Sequence, residues 1–293
     1  MITNKLNLPQ PFVDAATSDH QYTDKRYSVS EVLGGTCEAI LKRRHQGEAD
    51  EDVADRVWAI FGTAVHKVLQ EGEATASQLQ EQWLSVPVPE EGYRLSGIFD
   101  LYDEATETVT DYKTASVWKV KFGEFEDWRK QTLLYCYMLR SEGFKASKGQ
   151  IVALLRDHSK REAKLKAADG YPPHPVFTIG WEFTEEDFEE AERMLTDWYA
   201  RVSREEQLPD DELEPCSAEQ RWHKPDKWAV MKDGRKRAVR VFEDEEQAVA
   251  LLNELKEKDQ GHHIEHRPGE DTKCEGYCPV AEFCPFYQAK QKK

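Results

Sequence analysis

The run Leu95-Ser96-Gly97-Ile98-Phe99-Asp100, with Asp111-Tyr112-Lys113-Thr114 beginning eleven positions after Asp100, decides how this 293-residue chain is read. Tyr93 to Tyr102 and Thr108 to Ala115 have the texture of short strands, and the polar stretch Asp103 to Glu107 joins them. Pairing Asp103 with Thr108 in an antiparallel hairpin brings Asp100 opposite Asp111, because the paired positions sum to 211. Opposed side chains on a sheet have Cβ atoms about 5 Å apart. Two carboxylates so placed repel unless a cation lies between them, and hard oxygen ligands suit Mg²⁺ or Mn²⁺. Lys113, two residues beyond Asp111, projects from the same face. Taken alone, the spacing fits a surface hairpin with solvated charges equally well.

Working outward, residues 53–71 carry apolar positions at helical spacing, from Val53, Val57, Ile60 and Phe61 to Val68 and Leu69. His66 falls on the inward side of this helix, one turn after Gly62, a glycine that permits close approach. By itself such a histidine reads as a satisfied core residue. Trp128 to Arg140 is helical by pattern, so Gln131 and Tyr135, four apart, share a face, which simple packing also explains. Residues 27–45 read as one or two short helices with Ser28 or Ser30 as N-cap. Ile151 to Arg156 and Val176 to Phe183 read as strands, and Thr184 caps an acidic helix through about Arg201. Strands interspersed with helices imply an α/β fold.

Composition bounds these readings. Charged residues make up 33% and the hydrophobic set 39%, the balance of a folded globular chain. No apolar run reaches membrane-spanning length, and the first residues lack a signal segment, so the expectation is a cytoplasmic protein with no membrane partner. There is no Gly-x-x-x-x-Gly-Lys-Ser/Thr loop, hence no recognisable ATP motor. The net charge of −16 argues at first against a nucleic-acid partner. Yet part of it belongs to the paired aspartates, and Lys and Arg gather locally, as in Lys42-Arg43-Arg44 and Lys232 to Arg240.

Three of the six cysteines, Cys274, Cys278 and Cys284, fall within eleven residues. In a reducing compartment, thiols clustered this way point to zinc or an iron–sulfur centre rather than disulfides. A fourth ligand must come from Cys37 or Cys216, and Cys216 is preferred because it would pin together the two ends of the segment 217–270. Cys136, inside the Trp128–Arg140 helix, reads as a small buried hydrophobe. That 217–270 segment reads as a removable ββα insertion: Trp228 to Met231 and Arg235 to Phe242 flank Asp233-Gly234, a hairpin signal, and Glu243 to Lys258 is helical. The organisation expected is therefore a core over 1–216, the insertion over 217–270, and a cysteine segment over 271–293 that packs on the core. Arg235, Lys236 and Arg237 are candidates for tracking a nucleic-acid backbone, with a solvated polar hairpin as the equal alternative.

In order, Gly62-Thr63-Ala64-Val65-His66, Gly97-Ile98-Phe99-Asp100, Asp111-Tyr112-Lys113-Thr114 and Gln131-Thr132-Leu133-Leu134-Tyr135 resemble the motif series of RecB-type nucleases of the PD-(D/E)XK superfamily. The cysteines resemble the iron–sulfur branch that includes the CRISPR-associated adaptation exonucleases and AddB-type nucleases, and the likeness is strongest to phage and prophage members. The acidic residue before x-Lys113 is Asp rather than the commoner Glu. The resemblance implies that His66, Asp100, Asp111 and the backbone carbonyl of Tyr112 hold Mg²⁺ or Mn²⁺. It implies that Lys113 orients the attacking water or stabilises phosphate charge, and that Gln131 and Tyr135 position the nucleic-acid backbone. It further implies a structural [4Fe-4S] cluster, with zinc as the alternative.

The function expected is a metal-dependent DNA nuclease, an exonuclease on single-stranded or duplex DNA ends in phage recombination, replication or end processing, with a recombination or replication protein as a possible partner. The alternative is a catalytically inactive nucleic-acid-binding or assembly subunit that keeps the fold. A complete set of His66, Asp100, Asp111 and Lys113 favours the enzyme, since a scaffold has no need of it.

Overall fold

A computed structural model describes residues 2–17, 21–48, 51–257 and 260–292. It resolves into two compact units, residues 1–213 and 214–293.

In the first unit the segments that position the site are, in chain order, β1 (Arg26–Ser28), α1 (Val29–Val32), α2 (Thr36–Arg44), α3 (Val57–Gln70), β2 (Gln78–Pro87), β3 (Arg94–Asp103), β4 (Thr108–Ala115), α4 (Val117–Phe122), α5 (Glu126–Ser141), β5 (Lys148–Leu155), β6 (Val176–Glu182) and α6 (Glu185–Glu205). Ser28 starts α1 through a capping box with Glu31, and Thr184 starts α6 in the same way with Asp187. Along α6, Phe188, Ala191, Leu195, Trp198, Tyr199 and Val202 are buried at helical spacing, while the acidic positions between them face solvent.

The mixed sheet runs β1-β3-β4-β5-β6, with β2 also paired to β3. β4 and β5 are parallel, β5 and β6 antiparallel, and along β5 every second residue from Gly149 to Leu155 is buried. The hairpin register is the expected one: Asp103↔Thr108, Tyr102↔Val109 and Leu101↔Thr110. The ladder ends there, one position short of Asp100 and Asp111. Where β4 leaves, β1 takes its place, pairing in parallel with Arg94, Leu95 and Ser96 of β3. The sheet therefore splits at the two aspartates, and their side chains sit in the opening.

Three expectations are corrected here. β1 and β2 were not anticipated, and β2, ten residues long, covers most of β3. Helix α3 begins at Val57 rather than at 53, after a short 3₁₀ turn, and none of its side chains is fully buried; Val57, Trp58, Phe61 and Val68 are exposed. Its apolar periodicity thus marks a helix lying on the surface of the sheet. Finally, Gly62 makes no close approach, since a Cβ there would meet only Thr114 Oγ1, at 3.8 Å.

A glycine that packing does require is Gly149. A Cβ there would lie 2.4 Å from Thr132 Oγ1 on α5 and 2.9 Å from the Phe183 ring. Gly149→Ala is expected to cost about 1–3 kcal/mol in urea denaturation, whereas Gly62→Ala should be neutral or stabilising by up to about 1 kcal/mol through helix propensity. Equal midpoints for the two variants would contradict this packing.

The second unit contains β7 (Lys227–Lys232), β8 (Arg240–Phe242), α7 (Glu245–Lys256), β9 (His262–Arg267), α8 (Thr272–Gly276) and α9 (Pro285–Gln291). The expected ββα element is ββαβ, because β9 returns beside β7 to give the sheet order β8-β7-β9. Its charged alternation (His262, Glu265, His266, Arg267) hid the strand, whose apolar pattern is weak. The second strand starts at Arg240, not Arg235, so no two-residue hairpin forms at Asp233-Gly234. Arg235, Lys236 and Arg237 lie exposed in the connecting loop.

Candidate active site

Each carboxylate at the split is held by a group that the fold delivers. Asp100, 7% exposed, accepts the Tyr112 backbone N–H on Oδ2 at 2.6 Å, the bond that the interrupted ladder leaves free. Its Oδ1 lies 3.1 Å from His66 Nδ1, which α3 brings over the sheet. Asp111 is buried, and its Oδ1 accepts from Gln131 Nε2 of α5 at 3.0 Å. Lys113 Nζ stands 2.7 Å from Asp111 Oδ2. That oxygen nonetheless accepts no hydrogen bond of proper geometry.

One member of the cluster escaped sequence reading. The ligand atoms of His66, Glu81 and Asp100 lie within 4.8 Å of one another. Glu81 belongs to β2, and its neighbours Gln80↔Leu101 and Gln82↔Phe99 place it opposite Asp100. Its φ of +48° breaks the ladder locally and turns the carboxylate toward His66. Recognising β2 as the partner of β3 was the missing signal, because the same register arithmetic then aligns Glu81 with Asp100.

Gln131 and Tyr135 share a face, as their spacing requires, but the structure sets them beneath the carboxylates. Gln131 orients Asp111, while Tyr135 is buried and hydrogen-bonded to Gln131. Gly97 makes room for it, since a Cβ there would lie 2.7 Å from Tyr135 Cε1. Tyr135 is 7% exposed and its side chain packs against Gln131. Tyr112 meets the site through its N–H.

The electrostatics are those of a site built for a cation. Burial, followed by the charge of Asp100, raises the Asp111 carboxyl above the ordinary carboxylate range, although Lys113 opposes the shift. Burial and the same neighbour raise Glu81. The hydrogen bond to Asp100 raises His66. Three acidic side chains and an imidazole, with a lysine paired to the buried Asp111 Oδ2, match the donor set for a hard divalent ion. Because raised pKa values mean that protons occupy these groups to higher pH, an entering ion displaces them. Mn²⁺ affinity should therefore rise with pH, by roughly tenfold per unit for each displaced proton while pH is below the raised pKa values. Calorimetric titration at pH 6, 7 and 8 in buffers of different ionisation enthalpy would read both affinity and proton release; a pH-independent affinity would contradict the assignment.

In the second unit the Cys274 thiol is pushed up to about 12 by burial and then by its neighbours, among them Cys278, Cys284 and Cys216. Cys278, Cys284 and Cys216 therefore lie within electrostatic reach of Cys274. Beside them Asp271 accepts from Arg221 Nε at 3.1 Å, Lys290 Nζ at 3.0 Å and His223 Nδ1 at 2.9 Å. Cys37 is buried on α2 in the first unit, and Cys136 is buried on α5, its thiol pushed up to about 12 by burial. No helix among the described residues is long and apolar enough to cross a membrane.

Residues 72–285 match the family model of the PD-(D/E)XK nuclease superfamily. No curated protein matches the chain. Among solved structures, SSO0001 is similar with TM-score 0.47 and 13% identity over 64% of this chain and 83% of its own. An alkaline exonuclease from Laribacter hongkongensis gives 0.39 and 12% over 62% and 90%. A phage-related exonuclease from Haemophilus somnus 129PT gives 0.29 and 13% over 59% and 74%.

Proposed function

The chain belongs to the PD-(D/E)XK nuclease superfamily, and on that premise we propose that it is a Mg²⁺- or Mn²⁺-dependent deoxyribonuclease, an exonuclease acting on single-stranded or duplex DNA ends. The observation that carries this reading is the constellation at the split sheet: His66, Glu81 and Asp100 with converging ligand atoms, and Asp111 beside Lys113. His66, Asp100 and Asp111 would hold the ion, with Glu81 from β2 and the Tyr112 carbonyl completing the set. When bound, the ion polarises the phosphoryl oxygen and lowers the pKa of a coordinated water.

The chain's own residues do the rest. The Tyr112 N–H and the Gln131 amide fix the two aspartates before substrate arrives, so little reorganisation is needed at the moment of reaction. Lys113 brings a positive charge to the edge of the site, where it stabilises the extra negative charge of the pentacoordinate phosphorane and orients the attacking water. The exposed Arg235, Lys236 and Arg237 of the 233–239 loop supply sequence-independent attraction for the DNA backbone.

For the cysteines, we propose a structural metal centre on Cys216, Cys274, Cys278 and Cys284, a [4Fe-4S] cluster with zinc as the alternative. Support comes from the short spacing of Cys274, Cys278 and Cys284 and from the influence that Cys278, Cys284 and Cys216 each exert on the Cys274 thiol. Such a centre would tie the two ends of the ββαβ element together.

The direct test is digestion of end-labelled single-stranded and duplex DNA in Mg²⁺ or Mn²⁺, beside Lys113→Ala. Loss of label as mononucleotides or short products, abolished in the variant, supports the reading. An intact substrate with wild-type protein, or equal activity in the variant, overturns it.

A further inference from the structure

The face of the sheet that carries Asp100 continues into two large apolar side chains left in solvent. Trp83 on β2 and Ile98 on β3 are directly opposed in the antiparallel register. They are 56% and 49% exposed. Ile98 precedes Asp100 by two residues along β3, which puts Ile98 and its partner Trp83 on the face of Asp100. The pair lies about 7 Å along the strands from Asp100. Above the indole sits the Arg26 guanidinium, 5.4 Å from the ring centroid. At about half exposure both groups forgo part of the burial that folding would otherwise gain.

We propose that Trp83, backed by Ile98, is the platform on which the nucleobase adjacent to the scissile phosphate stacks, and that it makes this site prefer an unpaired base. The inference rests on the reading of the site as a phosphodiester-cleaving centre. An occupant must place an anion at the His66–Glu81–Asp100 cluster, through its metal, and a flat apolar surface one step along the strands. It must also bring further negative charge toward Arg26. A polynucleotide strand has this alternation of phosphate and π-face, and aromatic stacking accepts any base. A base inside a duplex is already stacked on both faces and paired at its edge, so only an unpaired or frayed terminal base can lie on the indole.

The test separates binding from cleavage. Affinity for a fluorescein-labelled single-stranded oligonucleotide is measured with Ca²⁺ for wild type, Trp83→Ala and Trp83→Phe, and cleavage is followed separately in Mn²⁺. Trp83→Ala should weaken single-strand binding about 5- to 100-fold, raise KM correspondingly and leave Mn²⁺ affinity unchanged, while Trp83→Phe restores most of the loss. With wild-type protein, a single abasic nucleotide next to the scissile bond should impose a similar penalty, and the two losses should not add, as for groups in direct contact. The abasic arm requires no variant, so a folding defect in Trp83→Ala does not obscure the result. Unchanged binding with the abasic strand, or additive losses, overturns the platform. Absence of cleavage by wild type with the binding pattern intact would overturn the catalytic reading alone.

Discussion

Asp111→Asn should reduce phosphodiester hydrolysis by on the order of 10³-fold or more and, in the metal-free protein, raise the midpoint of thermal unfolding. The first effect follows because Asp111 is the buried carboxylate whose Oδ2 faces Lys113 and accepts no hydrogen bond, and an amide there offers a poor ligand to a hard cation. The second follows from the sign of its titration. Burial raises its pKa in the folded state. A carboxyl whose folded pKa exceeds its unfolded value binds more protons in the native state, so it favours folding below the unfolded pKa. That contribution is lost as pH rises through the folded pKa, and above it the ionised group is a net cost. Asparagine carries no charge and removes that cost. Calorimetry of the metal-free variant beside the cleavage assay checks both. A variant that is inactive and less stable would make Asp111 a structural residue, whereas an active one would remove it from the site.

If Cys216, Cys274, Cys278 and Cys284 hold the proposed metal, its removal should abolish cooperative folding of residues 214–293. Structural thiolate sites contribute about 10–16 kcal/mol of binding free energy, which is folding free energy when the unfolded chain holds no site. This unit has few fully buried side chains outside Ala229, Val230, Met231 and Ala248. A core that small needs a staple. Chelation, or Cys278→Ser, should therefore release the metal and expose the segment to limited proteolysis, while residues 1–213 stay resistant. Cys216→Ser should behave like Cys278→Ser, whereas Cys37→Ser should keep the metal. Elemental analysis distinguishes iron from zinc. Metal-free protein as stable as the purified form would dismiss the centre, and metal retained in Cys216→Ser but lost in Cys37→Ser would move the fourth ligand to the first unit.

Legibility from sequence followed the range of the interaction involved. The β3–β4 register was readable because a four-residue connection and alternating side chains constrain it within one short stretch. The capping boxes at Ser28 and Thr184 were readable for the same reason. Helix α3 shows the limit of periodicity: its apolar pattern located the helix but not its environment, since the same spacing serves a buried face and an exposed one. The ββαβ element was read without its last strand, because β9 pairs with β7 across the whole of α7 and its own sequence carries almost no apolar alternation.

By itself the sequence determined the α/β class, the pairing that sets Asp100 near Asp111 and Lys113, and the candidacy of the clustered cysteines, while His66 became a candidate only through the motif resemblance. The first three are encoded by residues a few positions apart, or by side chains whose chemistry leaves few roles. Tertiary structure alone decided that the ladder ends at Leu101 and Thr110, so that Asp100 caps the Tyr112 N–H, and that β1 fills the vacated edge. It also decided that Glu81 joins the cluster through a positive φ, that Gln131 and Tyr135 serve from beneath, and that Trp83 stands uncovered beside the carboxylates. The physical reason is common to all of these. They depend on contacts between segments distant in the chain, whose register is set by packing and loop closure rather than by local preference.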